Sequence, residues 1–183
     1  MSKVFPILLL LLLPGFVFSQ SQQYNQKITN ERTGEEILIG RCTRDAFTKS
    51  PYSEWFLSNY PTYKSQSTLK TLDSCKAYLD SIKIKIVLGT WCSDSRNNFP
   101  LFMAYLDYLK VNDYEIICVN REKSAVSFSI EELNILFVPT FIFYKNGIET
   151  GRIVENPVQS LERDMYLILK SSEEKVKENG EIK

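Results

Sequence analysis

The sequence predicts an α/β fold, a mixed central sheet flanked by helices with a helical extension in front of it. Three observations predict it. A short apolar run, Ile84 to Thr90, passes directly into a helical pattern from about Ser95 to Lys110, with Phe99, Phe102, Met103, Leu106 and Leu109 on its inner side. A second run, Glu115 to Asn120, is nearly continuously apolar, as suits a strand buried on both faces. Finally, Pro139 to Tyr144 reads as a strand, Lys145-Asn146-Gly147 as a turn and Ile148 to Val154 as the returning strand.

The other elements follow in chain order. Residues 1–19 carry Lys3, an apolar run from Val4 to Leu13 and Ser19 before the expected cut, the pattern of a secretory signal peptide. The apolar run is too short for a membrane span of about 20 residues, and Pro14-Gly15 interrupts it. Cleavage after Ser19 removes one base and leaves 21 basic and 22 acidic residues, net −1. The expectation is export, periplasmic or secreted, with no stable membrane span afterwards. Residues 20–66 form an N-terminal extension. Its first part, to residue 35, is polar and reads as a flexible lead-in. Glu36 to Gly40 reads as a short edge strand. Ser50-Pro51 reads as a helix cap with proline at the first helical position. The helix it opens carries Tyr52, Trp55, Phe56 and Tyr60, with Tyr63 beyond; this aromatic face either packs on the main sheet or lines a groove.

The main domain is expected over 67–170. From Thr68 to Ile82, Leu69, Leu72, Cys75, Leu79 and Ile82 recur at helical spacing. Cys75 on that stripe is either an inert core thiol or, in an exported chain, the partner of Cys42 in a disulfide. Residues 121–137 are a polar connection with a helical turn near Ile130 to Asn134. Asn156-Pro157-Val158-Gln159 reads as a helix start, with Val158, Leu161, Met165, Ile168 and Leu169 on the buried face. The tail, 171–183, is charged and reads as a frayed end.

Composition excludes several function classes. With 22 basic and 22 acidic residues, nothing points to nucleic acid. The chain has no histidine, which removes histidine triads and mixed Cys/His zinc sites. Cys42, Cys75, Cys92 and Cys118 are too scattered for a paired Cys-x-x-Cys metal site, so no metal and no cofactor are expected.

What remains is one cysteine in a distinctive place. Cys92 lies where the apolar strand meets the helix, and the unpaired N–H groups and macrodipole of a helix N-terminus favour an anion. A thiol there loses its proton more easily, and the thiolate is the nucleophile. Trp91-Cys92-Ser93-Asp94-Ser95 resembles the Trp-Cys-x-x-Cys motif of the thioredoxin superfamily, with Ser95 in place of the second cysteine. Pro100, eight residues after Cys92, resembles the family's helix-kinking proline. Phe137-Val138-Pro139-Thr140, about 47 residues further on, is similar to its cis-proline loop and strand. The resemblance covers roughly residues 83–170.

That resemblance implies a thioredoxin-like fold in which the backbone of Val138, before a cis Pro139, pairs with an extended substrate beside Cys92. Thr140 would follow on the strand behind. It also exposes departures. Ser95 can donate to a Cys92 thiolate but cannot resolve a mixed disulfide. The family's buried acid corresponds to Ile86, and its glycine facing the cis-proline corresponds to Glu155. Glu155 and Asp94 would then bring carboxylates towards the thiol, or Glu155 faces solvent without a catalytic part. Arg96 is the one local cation expected. The leading reading is an exported monothiol protein forming mixed disulfides with protein thiols or disulfides, or with glutathione or another small thiol. The alternatives are a non-catalytic peptide-binding module and a peroxide-reactive thiol protein.

Overall fold

The computed structural model describes residues 23–61, 65–126 and 128–180. The signal-like segment 1–19 and Tyr63 lie outside the described residues. Six strands, β1 (Gln26–Thr29), β2 (Glu36–Cys42), β3 (Ile82–Leu88), β4 (Tyr114–Cys118), β5 (Thr140–Lys145) and β6 (Ile148–Val154), form one sheet in the order β1-β2-β4-β3-β5-β6. Four α-helices accompany them: α1 (Ser53–Ser58), α2 (Gln66–Cys75), α3 (Ser93–Leu109) and α4 (Leu161–Gly180). The sheet is mixed. β3 and β4 run parallel, with Ile86 opposite Ile116, and α3 makes the crossover between them. The β5–β6 hairpin adds antiparallel to the other side of β3, with Ile86 opposite Phe141. β2 closes antiparallel on β4, and β1 is the edge.

Alternation along the strands sorts the core into two layers. Ile82, Ile84, Ile86 and Leu88 of β3, with Phe141 and Phe143 of β5, face the helices. There they meet Phe56, Leu72, Phe99, Phe102, Leu161 and Met165, so all four helices share that side. Phe102 stacks on Phe141 with ring centroids 4.1 Å apart. On the other side Val87, Ile117, Val119 and Ile142 are covered by the β4–β5 connection through Ala125, Ile130, Leu133 and Val138. That connection contains the expected single helical turn, Glu131–Leu133.

Several expectations for the ends of the chain need correction. The stretch before residue 36 is not all flexible lead-in, because residues 26–29 form β1; backbone pairing with β2 supplies what their polar side chains do not. This makes β2 an internal strand rather than an edge. Ser50 is not a helix cap. Its bond to Pro51 is cis, and α1 starts only at Ser53. The aromatic face packs inward, with Phe47, Phe56 and Phe99 in mutual ring contact, and does not form a groove wall. Asn156-Pro157 does not open α4 either. The Asn156 side chain accepts from Asn98, and the Val158 and Gln159 N–H groups donate to the Asp164 carboxylate, so the helix begins at Leu161 and Val158 is 93% exposed. The charged tail is helical as far as Gly180, tied to the sheet by Glu173 against the buried Lys145 at 2.5 Å.

Pro100 sits inside α3 without ending it. Proline has no N–H to offer the carbonyl four residues back, here Arg96. Asn59, just past α1, donates its side-chain amide to that oxygen at 3.1 Å. The extension is fixed to the same helix again by Arg44, which makes a two-pronged contact with Asp107 at 2.5 and 2.6 Å, joined by the Tyr60 hydroxyl.

Candidate functional site

The end of β3 places the site. After Leu88 the chain turns through Gly89 and Thr90, the Cys92 N–H donates to Gly89 O at 2.9 Å, and Cys92 itself is the N-cap residue of α3. Its backbone is extended (φ −96°, ψ 128°), and the Arg96 N–H donates to its carbonyl at 3.0 Å. Cys92 thus stands at the N-terminus of a long helix, whose first-turn N–H groups have no partner within the helix, although its side chain makes no capping hydrogen bond to them. Across the cleft, the Val138–Pro139 peptide is cis, and the Cys92 thiol donates to Val138 O at 3.2 Å. Cys92 is partly exposed. Val138 is buried, and the two residues before it, Leu136 and Phe137, are exposed apolar side chains at the rim.

The neighbours expected from sequence divide into those the structure brings together and those it does not. Ser95 is fully buried, and its Oγ accepts the Gly89 N–H at 3.3 Å; among the described contacts it makes none with Cys92. Its visible work is to fasten the β3 end to the first turn. Ser93 is exposed and Asp94 partly so in that same turn. Thr140 is buried, and its hydroxyl donates to Phe137 O at 2.7 Å, bracing the loop on which Val138 sits. Glu155 has φ +60°, a left-handed conformation that glycine adopts most readily. Its N–H donates to Pro139 O at 2.7 Å and its carbonyl accepts from Asn98, so backbone rather than carboxylate joins it to the site. Ile86 is buried between Ile116 and Phe141, with no acid in its place.

The other three cysteines take no part. Cys42 and Cys75 are free thiols, so the expected alternative of a Cys42–Cys75 disulfide is corrected. Each thiol instead donates to a carbonyl of its own element, Cys42 to Gly40 O at 3.6 Å and Cys75 to Thr71 O at 3.4 Å. Cys75 is on α2, whereas Cys42 ends β2 in the sheet beside Cys118. Burial pushes the Cys75 thiol up to about 12, and burial with the adjacent Cys42 holds Cys118 well above the ordinary thiol range. Such thiols are poor nucleophiles at neutral pH.

Sequence reasoning missed the cations. Arg96 donates to Thr90 O and faces Glu35, so it is not the lone basic group here. The Trp91 indole packs closely on Gly89, donates to Val119 O at 2.8 Å, and carries Arg121 at 4.5 Å and Lys123 at 5.9 Å from its ring. These residues follow β4, at the end of the sheet where Cys92 sits. That position, immediately after a parallel strand beside the nucleophile's own strand, was the available signal. Among the described residues no group of three or more Cys, Asp or Glu side chains is placed to hold a metal.

No protein-family model matches the chain, and no curated protein matches it. Solved structures do. Mitochondrial thioredoxin 3 from Saccharomyces cerevisiae is similar at 19% identity over 49% of this chain and 79% of its own, TM-score 0.33. Thioredoxin O2 from Arabidopsis thaliana is 22% identical over 60% and 88%, TM-score 0.34, and the Edwardsiella tarda protein Trxlp 14% over 58% and 94%, TM-score 0.38. The class itself rests on the architecture already described. A parallel β3-α3-β4 unit, an antiparallel β5–β6 hairpin on β3 and a closing helix make this a thioredoxin-like α/β fold.

Proposed function

We propose that this chain carries out thiol–disulfide exchange through Cys92 alone. The observation that carries the reading is the position of its sulfur. Cys92 is the partly exposed cysteine, at the N-cap of α3 and 3.2 Å from Val138 O, while Cys42, Cys75 and Cys118 are buried. In the first step the Cys92 thiolate attacks one sulfur of a substrate disulfide. A Cys92–substrate S–S bond forms, the substrate's own bond breaks, and the second sulfur leaves as a thiolate that takes a proton from water. In the next step a thiol of a small molecule such as glutathione, or of the partner protein, attacks that mixed disulfide and releases Cys92 as thiolate. Ser95 has no sulfur to do this, and the buried thiols stand in the core. The cycle is therefore monothiol, and the attacking thiol comes from outside the chain.

The exposed Leu136 and Phe137 beside Val138 favour an extended polypeptide as partner. Export, from the pattern of residues 1–19, belongs to the same reading, since it puts the chain where disulfide substrates persist. The test combines trapping and kinetics. With 5,5′-dithiobis(2-nitrobenzoate), the native chain should take up one equivalent rapidly at Cys92, and Cys92→Ser should take up none on that timescale. In the native compartment, Cys92 should be found disulfide-linked to partner polypeptides. An unreactive Cys92 with peptide binding intact in Cys92→Ser would replace this reading with a non-catalytic binding module.

A further inference from the structure

A cleft of about 690 Å³ opens between the β1–β2 turn and the loop that follows β4. Its apolar wall is Ile28 and Ile37, and its donors are Asn30, Arg32 and Arg121. Among the described residues, two buried side-chain nitrogens have no hydrogen-bond partner: Asn30 Nδ2 and Arg121 Nε. Both residues line this one cleft. Buried donors are almost always satisfied, so two unsatisfied ones at a single place point to an acceptor that belongs there. Asn30 is 4% exposed and held in orientation, its Oδ1 accepting the Arg32 N–H at 3.2 Å. Arg121 forms no ion pair among the described residues, and its guanidinium rests on Trp91, the residue next to Cys92.

We propose that this cleft is a carboxylate subsite, taking an acidic side chain of the polypeptide whose sulfur Cys92 engages. The proposal rests on the thiol-exchange reading for its substrate, but not for the binding itself. Both orphan groups are N–H donors, so the occupant is an acceptor. A guanidinium makes its strongest hydrogen bonds to an oxyanion. Glu31 and Glu122 also line the cleft and are exposed at its rim, which disfavours a dianion such as phosphate relative to a singly charged carboxylate. The Arg121 side chain, long and held chiefly by its ring contact, is the element that turns to meet the ligand. Substrate selection then acts beside the sulfur without touching it.

The test uses the full exported chain and short peptide disulfides, each with one cysteine and Glu or Gln at successive flanking positions. At the best position the Glu peptide should react with Cys92 about tenfold faster than its Gln twin, the scale of one hydrogen bond to a charged group. In Arg121→Gln and in the near-isosteric Asn30→Asp that ratio should fall to about one. Binding is read separately by titrating N-acetylglutamate α-amide and its glutamine analogue against the Trp91 indole N–H resonance. A saturable shift is expected for the glutamate compound alone, and none in Arg121→Gln. A reactive Cys92 with no Glu preference, or a preference that survives both variants, overturns the subsite. A Cys92 that reacts with neither peptide sinks the exchange reading instead, and the indole titration then decides the subsite by itself.

Discussion

Gly89→Ala should unseat Trp91, and the cost can be worked from the structure. A Cβ built at Gly89 would lie 2.6 Å from the Trp91 Cε2 and Nε1 atoms and 3.0 Å from Cζ2, where ordinary contact begins near 3.4 Å. The ring must therefore move by most of an ångström. Its Nε1–H bond to Val119 O, now 2.8 Å, and its contact with Arg121 are both lost or weakened. Overpacking of this kind costs roughly 1–3 kcal/mol, which at roughly 2–4 °C per kcal/mol for a chain of this size lowers the melting temperature by about 2–12 °C. Gly89 does not have a left-handed φ, so alanine is otherwise acceptable there and by itself should stabilise by about 0.4–1 kcal/mol. The sign should thus reverse in a Trp91→Ala background, where the ring is gone. The assay is a double-mutant cycle by thermal or urea unfolding, with the two indole N–H resonances assigned through Trp55→Phe. If Gly89→Ala has the same effect with and without the ring, a coupling below about 0.5 kcal/mol, the packing argument is refuted.

Three further outcomes are expected. Phe102→Ala, which removes a fully buried ring stacked on Phe141, should lose about 3–5 kcal/mol in urea unfolding while far-ultraviolet dichroism keeps its native shape. For Asp107, partial burial works against the charged form, but hydrogen bonds from Arg44 and Tyr60 outweigh it and hold the carboxyl below the usual carboxylate range. Its contribution is therefore present above the unfolded value of about 4 and lost as pH falls through the lower folded value. Asp107→Asn should flatten the stability profile below about pH 4. Cys75 runs the opposite way: with its folded value raised to about 12 by burial, its contribution is complete at neutral pH and drains as pH climbs towards that value. Cys75→Ala should shrink the alkaline loss of stability, and iodoacetamide should modify Cys75 only when the chain is unfolded.

What was legible in the sequence were the elements whose signal is local. The β3–α3 junction shows because an apolar run of period two meets a pattern of period near four at Trp91-Cys92. The β5–β6 hairpin shows because Asn146-Gly147 sits between two strand patterns. The rest depends on partners far along the chain. β1 is polar and exists because β2 offers it a ladder. Asn156 resembles a helix cap until Asn98 claims its side chain, and Ser50 until its place in the turn before α1 is seen. Arg121 and Lys123 look like an ordinary charged loop, and only the adjacency of β3 and β4 carries them onto Trp91. The Cys42–Cys75 pairing failed for a similar reason: residue type allows it, but in the fold each thiol turns to a carbonyl of its own element, Cys42 to Gly40 O and Cys75 to Thr71 O.

The amide that Asn59 lends to the proline-interrupted turn of α3 has a practical consequence. The segment before residue 66 cannot be trimmed away as an appendage, because it supplies a donor to the nucleophile's own helix, an aromatic lid for Phe99 and two rungs of the sheet. Head and core should therefore unfold together in a single transition, and a chain beginning at α2 should lose its reactive thiol's setting along with its solubility.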